Sequence, residues 1–157
     1  MAKTLWLLRH AEAEEPGPGG DFERRLTERG ERQARAAGAA LARLRVAPEH
    51  VLSSPRVRAL ETARLACESL GLEPIVHQPL GGELDEAEAR ELLAAAAEGE
   101  TLLLVGHEPD MSGLVTALTG ARVAIKKGSL AQIALLAGGG ELARLLRPRE
   151  IELLGKS

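Results

Sequence analysis

Residues 5–12 read LWLLRHAE, an apolar run that stops abruptly on an arginine and a histidine. Together with Thr4, the apolar part predicts a strand that is buried on both faces, as in a parallel sheet. Residues 101–107, TLLLVGH, repeat the pattern with a second buried strand that also ends on a histidine. Shorter strands at 51–53 and 74–77 alternate with helical segments, which indicates an α/β protein with a largely parallel sheet and helices on both faces.

The starts of the helical segments carry recognisable capping residues. Thr27 can cap the first helix, Ser54 followed by Pro55 the second, and Asp85 with Glu88 has the form of a capping box. The helices are predicted at 27–45, 54–71, 85–99 and 109–120. Glycines 138–140 separate apolar segments at 130–136 and 142–146, which predicts a closing antiparallel hairpin. With 157 residues and no internal repeat, we expect residues 1–157 to form a single domain.

The composition excludes several classes of partner. A net charge of −3 gives no overall attraction to nucleic acid or anionic membranes, and 1% aromatic residues leave little to stack on bases. The lone cysteine, Cys67, rules out an internal disulfide and fits a reducing compartment. The first apolar run is too short for a signal peptide or a membrane span. We therefore expect a cytoplasmic protein without nucleic-acid or membrane partners.

Three predicted strands deliver cationic side chains to the same edge of the sheet. Arg9 and His10 follow the first strand, His107 follows the strand at 101–105, and Arg56 lies in the helix start after 51–53. Ligands of open parallel sheets bind beyond the carboxyl ends of the strands, so we expect these side chains to meet there. Arginines bind phosphoryl oxygens, an unprotonated histidine can attack phosphorus, and a protonated histidine can stabilise the transition state.

Plainer interpretations exist for each residue alone. A polar residue marks the end of most strands, and an arginine in the first turn of a helix can be merely a solvated charge. The joint occurrence of the four residues favours a site. A metal is not expected, because the arginines would repel a divalent cation and no residues have ligand spacing. No cofactor is expected either, since no G-x-G-x-x-G follows the first strand. His50 and His77 are interpreted as surface or structural groups.

Three segments together resemble the histidine phosphatase (phosphoglycerate mutase-like) superfamily: LLRHAEAE at 7–14, SSPRVRALETA at 53–63 and VGHEPDM at 105–111. RRLTERGERQARAAG at 24–38 resembles the small SixA-type phosphohistidine phosphatase branch. The resemblance implies a three-layer α/β/α sandwich around a mostly parallel, mixed sheet, and a phosphatase that needs no metal and works through a phosphohistidine intermediate. It also implies that His10 is the nucleophile, that Arg9 and Arg56 bind phosphate, and that His107 completes the pocket.

Two further residues are candidate substrate contacts by the same resemblance. Arg24 falls where SixA-like proteins have the arginine of an RPLT stretch. The proline is missing here, so either Arg24 or Arg25 can point inward, and we favour Arg24. Glu83 falls near the place where ester-cleaving members carry a general acid, but it also fits the acidic entry of the next helix.

The expected substrate is a phosphohistidine on a partner protein. A protonated imidazole leaves as a neutral base, whereas an alkoxide needs help from an acid. Only one helix separates the strands at 74–77 and 101–105, so no long lid is expected to enclose a small substrate. Two alternatives remain open. One is a phosphomonoesterase that uses Glu83 on a small phosphorylated metabolite, and the other is a phospho-ligand binding module without catalysis.

Overall fold

The computed structural model describes residues 2–156, in which six strands form one sheet of order β3-β2-β4-β1-β5-β6. The strands are β1 (Lys3–Arg9), β2 (His50–Ser53), β3 (Ile75–Val76), β4 (Thr101–Gly106), β5 (Leu130–Leu136) and β6 (Gly139–Leu146). The helices are α1 (Glu28–Arg43), α2 (Val57–Leu70), α3 (Glu86–Leu93), α4 (Asp110–Thr119) and α5 (Pro148–Gly155). Short 3-10 turns span Asp21–Glu23 and Gln78–Gly81.

The sheet is mixed but mostly parallel, as the sequence predicted. β1 pairs in parallel with β4, and β2 and β3 continue the parallel part beyond β4. β5 runs antiparallel to β1 and forms the predicted hairpin with β6. In the register of β1 and β4, Arg9 lies opposite Gly106. The residues that follow them, His10 and His107, therefore leave the sheet side by side.

Helices cover both faces of the sheet, which confirms the three-layer sandwich. Successive side chains of a strand point to opposite faces. Trp6 and Leu8 of β1 accordingly pack in the cluster that contains buried residues of α1, α2 and α5. Leu5 and Leu7 pack in the opposite cluster with buried residues of α3 and α4.

Some boundaries differ from the sequence prediction. The second helix begins at Val57 with Arg56 as its N-cap, because the Ser54 hydroxyl turns away to bind the Arg56 amide and His107. The strand predicted at 74–77 shrinks to Ile75–Val76, whose exposed side chains lie at the sheet edge. The helix predicted at 85–99 has its capping box but ends at Leu93. Residues after Arg147, for which no element was predicted, form α5.

Candidate active site

The two histidines predicted to meet lie together at the carboxyl edge of the sheet. Their ring centroids are 5.2 Å apart and the ring planes are inclined by 51°. This closeness follows from the parallel pairing of β1 and β4, because each ring comes directly after one member of the Arg9–Gly106 pair. His10 is buried, with 5% of the residue exposed.

His10 has the protonation state and tautomer that a nucleophile needs. Its Nδ1 lies 2.8 Å from the carbonyl oxygen of Ala11, and since a carbonyl only accepts, Nδ1–H is the donor. Burial first, and then the charges of Arg58, Arg9 and Lys127, lower the pKa of His10 to about 4, although the hydrogen bond to Ala11 acts in the opposite direction. At neutral pH the ring is therefore uncharged, and Nε2 carries a free lone pair.

His107 is held by Ser54 at the end of the neighbouring strand. The Ser54 hydroxyl oxygen accepts the backbone N–H of Arg56 at 3.1 Å and lies 2.7 Å from Nε2 of His107. Burial first, and then the charges of His10, Arg58 and Arg56, lower the pKa of His107 to about 3. In the tautomer in which the Ser54 hydroxyl donates to Nε2, the ring hydrogen of neutral His107 lies on Nδ1. Nδ1 is buried and has no protein partner within residues 2–156, so in that tautomer it is a donor for a bound oxygen.

Three arginines converge on the carboxylate of Asp21 next to the histidines. Asp21 accepts from Arg56 at 2.8 Å, and from Arg24 and Arg58 at 3.2 Å each. Burial tends to raise the pKa of Asp21, but the hydrogen bonds and charges of the arginines outweigh it and hold the pKa below its usual value. An anionic group with two oxygens thus already occupies the space between three guanidinium groups, which is the environment that a phosphoryl group requires.

Arg58 is a site residue that the sequence analysis missed. Its side chain is 9% exposed, it donates to the carbonyl oxygen of Asp21 at 2.9 Å, and its buried Nε has no partner in the described part of the chain. Its charge acts on both His10 and His107. A signal was present: residues 58–59, 62–63 and 66–67 form the buried stripe of α2, and Arg58 is the only charged residue in it. A charge on such a stripe is a candidate functional group.

The predicted phosphate ligand Arg56 lies at the rim. Its side chain is 30% exposed, and it donates through Nε to the carbonyl of Gly81 at 2.7 Å as well as to Asp21. Its guanidinium also lies 5.7 Å from the ring centroid of Phe22. Arg56 therefore borders the pocket, whereas Arg58 is more enclosed.

The other predicted residues take distinct positions around the pocket. Arg24 points inward, with its side chain 16% exposed against 72% for Arg25, which faces Glu61 on the outside. Arg9 donates to the carbonyl of Ile125 at 2.9 Å, and its buried Nε has no partner in residues 2–156. Burial lowers the pKa of Arg9, and the charge of Glu108 opposes this effect.

The pocket itself is an open cleft of about 300 Å³. Asp21, Arg56 and Arg58 line it on one side, and His107 lies between them and an acidic side. That acidic side consists of Glu83, Glu108 and Asp110. Glu83 is exposed there, while burial raises the pKa of Asp110 against the hydrogen bond from the Leu84 amide. Guanidinium and carboxyl groups thus line the same cleft.

Between residues 2 and 156, no group of three or more His, Cys, Asp or Glu side chains is arranged to hold a metal ion. Over the same range, no helix is long and apolar enough to cross a membrane.

Comparison with known proteins agrees with this geometry. Residues 5–84 match the sequence model of the histidine phosphatase superfamily (branch 1). A protein of Picosynechococcus sp., itself uncharacterized, is 34% identical over 134 residues, which cover 80% of this chain and 81% of that one. The chain therefore belongs to the histidine phosphatase superfamily.

Within the superfamily, its structure is similar to those of SixA proteins. The protein histidine phosphatase SixA, solved with tungstate, shares the fold with a TM-score of 0.82 at 23% identity, over 94% of this chain and 99% of that one. A protein of Agrobacterium tumefaciens provisionally assigned as the phosphohistidine phosphatase SixA has a TM-score of 0.80 at 26% identity, over 92% and 97%. The predicted superfamily and the likeness to SixA are both confirmed.

Proposed function

We propose that this protein is a phosphohistidine phosphatase that transfers the phosphoryl group of a partner protein to His10 and then to water. The observation that carries the proposal is the state of His10, which is buried, neutral and free at Nε2 beside a second histidine and an arginine cluster. A binding module would need the arginines but not an uncharged, positioned nucleophile. This favours catalysis over binding alone.

The chemistry has two steps. In the first, the Nε2 lone pair of His10 forms a bond to phosphorus while the bond from phosphorus to the substrate imidazole breaks, and that imidazole nitrogen takes a proton from solvent water in the open cleft. In the second, water attacks phosphorus, the bond to Nε2 breaks, and inorganic phosphate leaves as the water gives up a proton. Arg58, Arg9 and Arg24, with Arg56 at the rim, would bind the phosphoryl oxygens, and His107 would donate its free N–H to one of them.

The open cleft supports a protein substrate. The pocket is shallow, and no long insertion lies between β3 and β4 to close over it. A phosphorylated side chain on another protein can reach such a site, and its imidazole leaves without a strong acid. The similar SixA proteins, a protein histidine phosphatase and one assigned as a phosphohistidine phosphatase, support the same substrate class. We further propose that residues 1–157 act as one domain in the cytoplasm.

A second candidate function is hydrolysis of a small phosphomonoester. The specific observation in its favour is that Glu83 lines the same cleft as His107, where it can protonate an alkoxide leaving group. The two functions differ in what they demand of Glu83. Replacing it by Gln should lower ester hydrolysis about 100-fold but leave phosphohistidine hydrolysis within about twofold.

The deciding experiment compares turnover of a chemically phosphorylated phosphohistidine protein with that of a panel of sugar and nucleotide phosphates. The proposal requires the phosphohistidine protein to be the better substrate, and efficient turnover of esters alone would refute it. His10→Ala should lower turnover at least about 1000-fold and abolish the acid-labile label that rapid quenching traps on the wild type. His50→Gln is the matched control, because His50 lies at the opposite end of the sheet beside Glu100.

A further inference from the structure

A second, strongly basic depression is lined by Arg9, the residue that precedes His10. Its volume is about 480 Å³, and it shares no lining residue with the cleft. We call it the basic surface, and its charged lining residues are Arg9, Glu12, Arg29, Lys126, Lys127, Arg147 and Arg149. Six of these seven are cationic, although acidic residues outnumber lysine and arginine by 23 to 20 in the chain. The positive charge of an acidic protein is thus concentrated beside its nucleophile.

The fold builds this surface from separate segments. The Gly128 amide donates to the backbone carbonyls of Arg9 and His10 at 3.1 and 3.0 Å, which places Lys126 and Lys127 against the end of β1. Arg147 and Arg149 come from the start of α5, which packs on α1. The basic surface and the catalytic histidine therefore share the same backbone support.

The charges of this surface are largely uncompensated. Glu12 is its only acidic residue, and it lies 3.8 Å from Arg29. For Lys126, Lys127, Arg147 and Arg149, no carboxylate of residues 2–156 lies within ion-pair distance, and all four are exposed. Like charges kept together without counter-ions weaken a fold, so such an arrangement is expected where a partner supplies the opposite charge.

We propose that the basic surface docks an acidic face of the phosphorylated partner protein and so directs its phosphohistidine to His10. This proposal rests on the proposed function. The cations stand on separate segments with exposed side chains, which suits an extended macromolecular face better than a small anion. No aromatic residue lines the surface, so bases have nothing to stack on. An acidic protein is the partner that fits these features.

The position of the basic surface explains how it would act. Arg9 lines it and directly precedes His10 in the chain, so a partner bound there is held beside the strand end that carries the nucleophile. Opposite charges accelerate encounter and orient the partner, by a factor of roughly 10 to 1000 when salt is low. A small substrate that needs only the phosphate pocket gains nothing from the cations of this surface other than Arg9.

The test is the salt dependence of kcat/KM for the double variant Lys126→Glu/Arg149→Glu. The control is Arg64→Glu/Arg122→Glu, which makes the same change of charge at exposed positions that line neither the cleft nor the basic surface. The substrates are an acidic and a basic protein, both phosphorylated on histidine with phosphoramidate, and free phosphohistidine. We expect the double variant to lose about tenfold or more on the acidic protein at low salt, and little at high salt.

Several results would overturn the docking proposal. One is an equal loss in the double variant and the control. Another is an equal loss on free phosphohistidine, which would place these cations in the phosphate pocket. Selective release of the double variant from inhibition by RNA would assign the surface to nucleic acid. If the wild type hydrolyses no phosphohistidine protein at all, the proposed function itself fails, whereas the other results leave it standing.

Discussion

Acidification should destabilise this protein through the two histidines of the cleft. Burial lowers the pKa of His10 to about 4 and that of His107 to about 3, whereas both have the ordinary value of 6.5 in an unfolded chain. At a pH between the folded and the unfolded pKa values, each of the two histidines binds a proton in the unfolded chain but not in the folded protein. Stability is therefore fully present above about pH 6.5 and is lost as the pH falls toward the folded values.

The size of the loss follows from the difference between the folded and unfolded pKa values. At a pH of about 5.5, one unit below the unfolded value, each histidine lowers the free energy of unfolding by roughly 1 to 2 kcal/mol. Together they account for about 3 kcal/mol between pH ~7.5 and ~5.5. This is a large share of the roughly 5–15 kcal/mol that stabilises a typical domain.

Urea unfolding at both pH values, followed by the fluorescence of the single tryptophan, Trp6, measures this loss. His10→Gln should lose roughly 1 to 2 kcal/mol less than the wild type, because glutamine does not titrate. Carboxyl groups that titrate in the same range are present in both proteins and cancel in the comparison. An equal loss in the two proteins would refute the neutral, buried His10 on which the mechanism depends.

Three other variants test the pocket and the fold. Asp21→Asn removes a negative charge from between three arginines. Inorganic phosphate should then inhibit about fivefold more tightly, as expected when about 1 kcal/mol of repulsion between the carboxylate and phosphate is relieved. Weaker inhibition would mean that Asp21 chiefly orders the arginines. Arg58→Lys should lower kcat at least about tenfold more than Arg56→Lys in steady-state assays, because Arg58 is the enclosed guanidinium. Gly38→Ala should destabilise the protein by about 2 kcal/mol or more in thermal unfolding, because the added Cβ would clash with the Ala66 carbonyl oxygen. The control is Gly113→Ala, whose added Cβ meets nothing within 4 Å, and it should be neutral or stabilising.

The sheet and its histidines were predictable because their signals are local. A buried parallel strand is an apolar run, and a histidine at its end is visible without knowledge of the fold. Two such runs in a parallel sheet bring their ends to one edge, so the approach of His10 to His107 follows from the pattern. The start of α2 was less predictable, because Ser54 satisfies both a backbone amide and a histidine that lies 53 residues away.

The arginines show where sequence reasoning fails. Arg56 and Arg58 are two residues apart, and charge alone does not tell which is enclosed. The distinction depends on which face of α2 packs inward, and the small residues Ala59, Ala63 and Ala66 identify that face. The apolar spacing of Val57 and Leu60 directs attention to the more exposed face instead.

Asp21 was missed for a different reason. It follows a loop of prolines and glycines without periodicity, in which Gly20 adopts a φ of 84° that favours glycine. Three like charges at short distance need a counter-ion when the pocket is empty, and the Asp21 carboxylate is that counter-ion. If the arginines bind a phosphoryl group, as we propose, that group must compete with a carboxylate they already hold. We therefore expect Asp21 to keep the arginines ordered before the substrate arrives and to weaken the binding of inorganic phosphate, which favours release of the product.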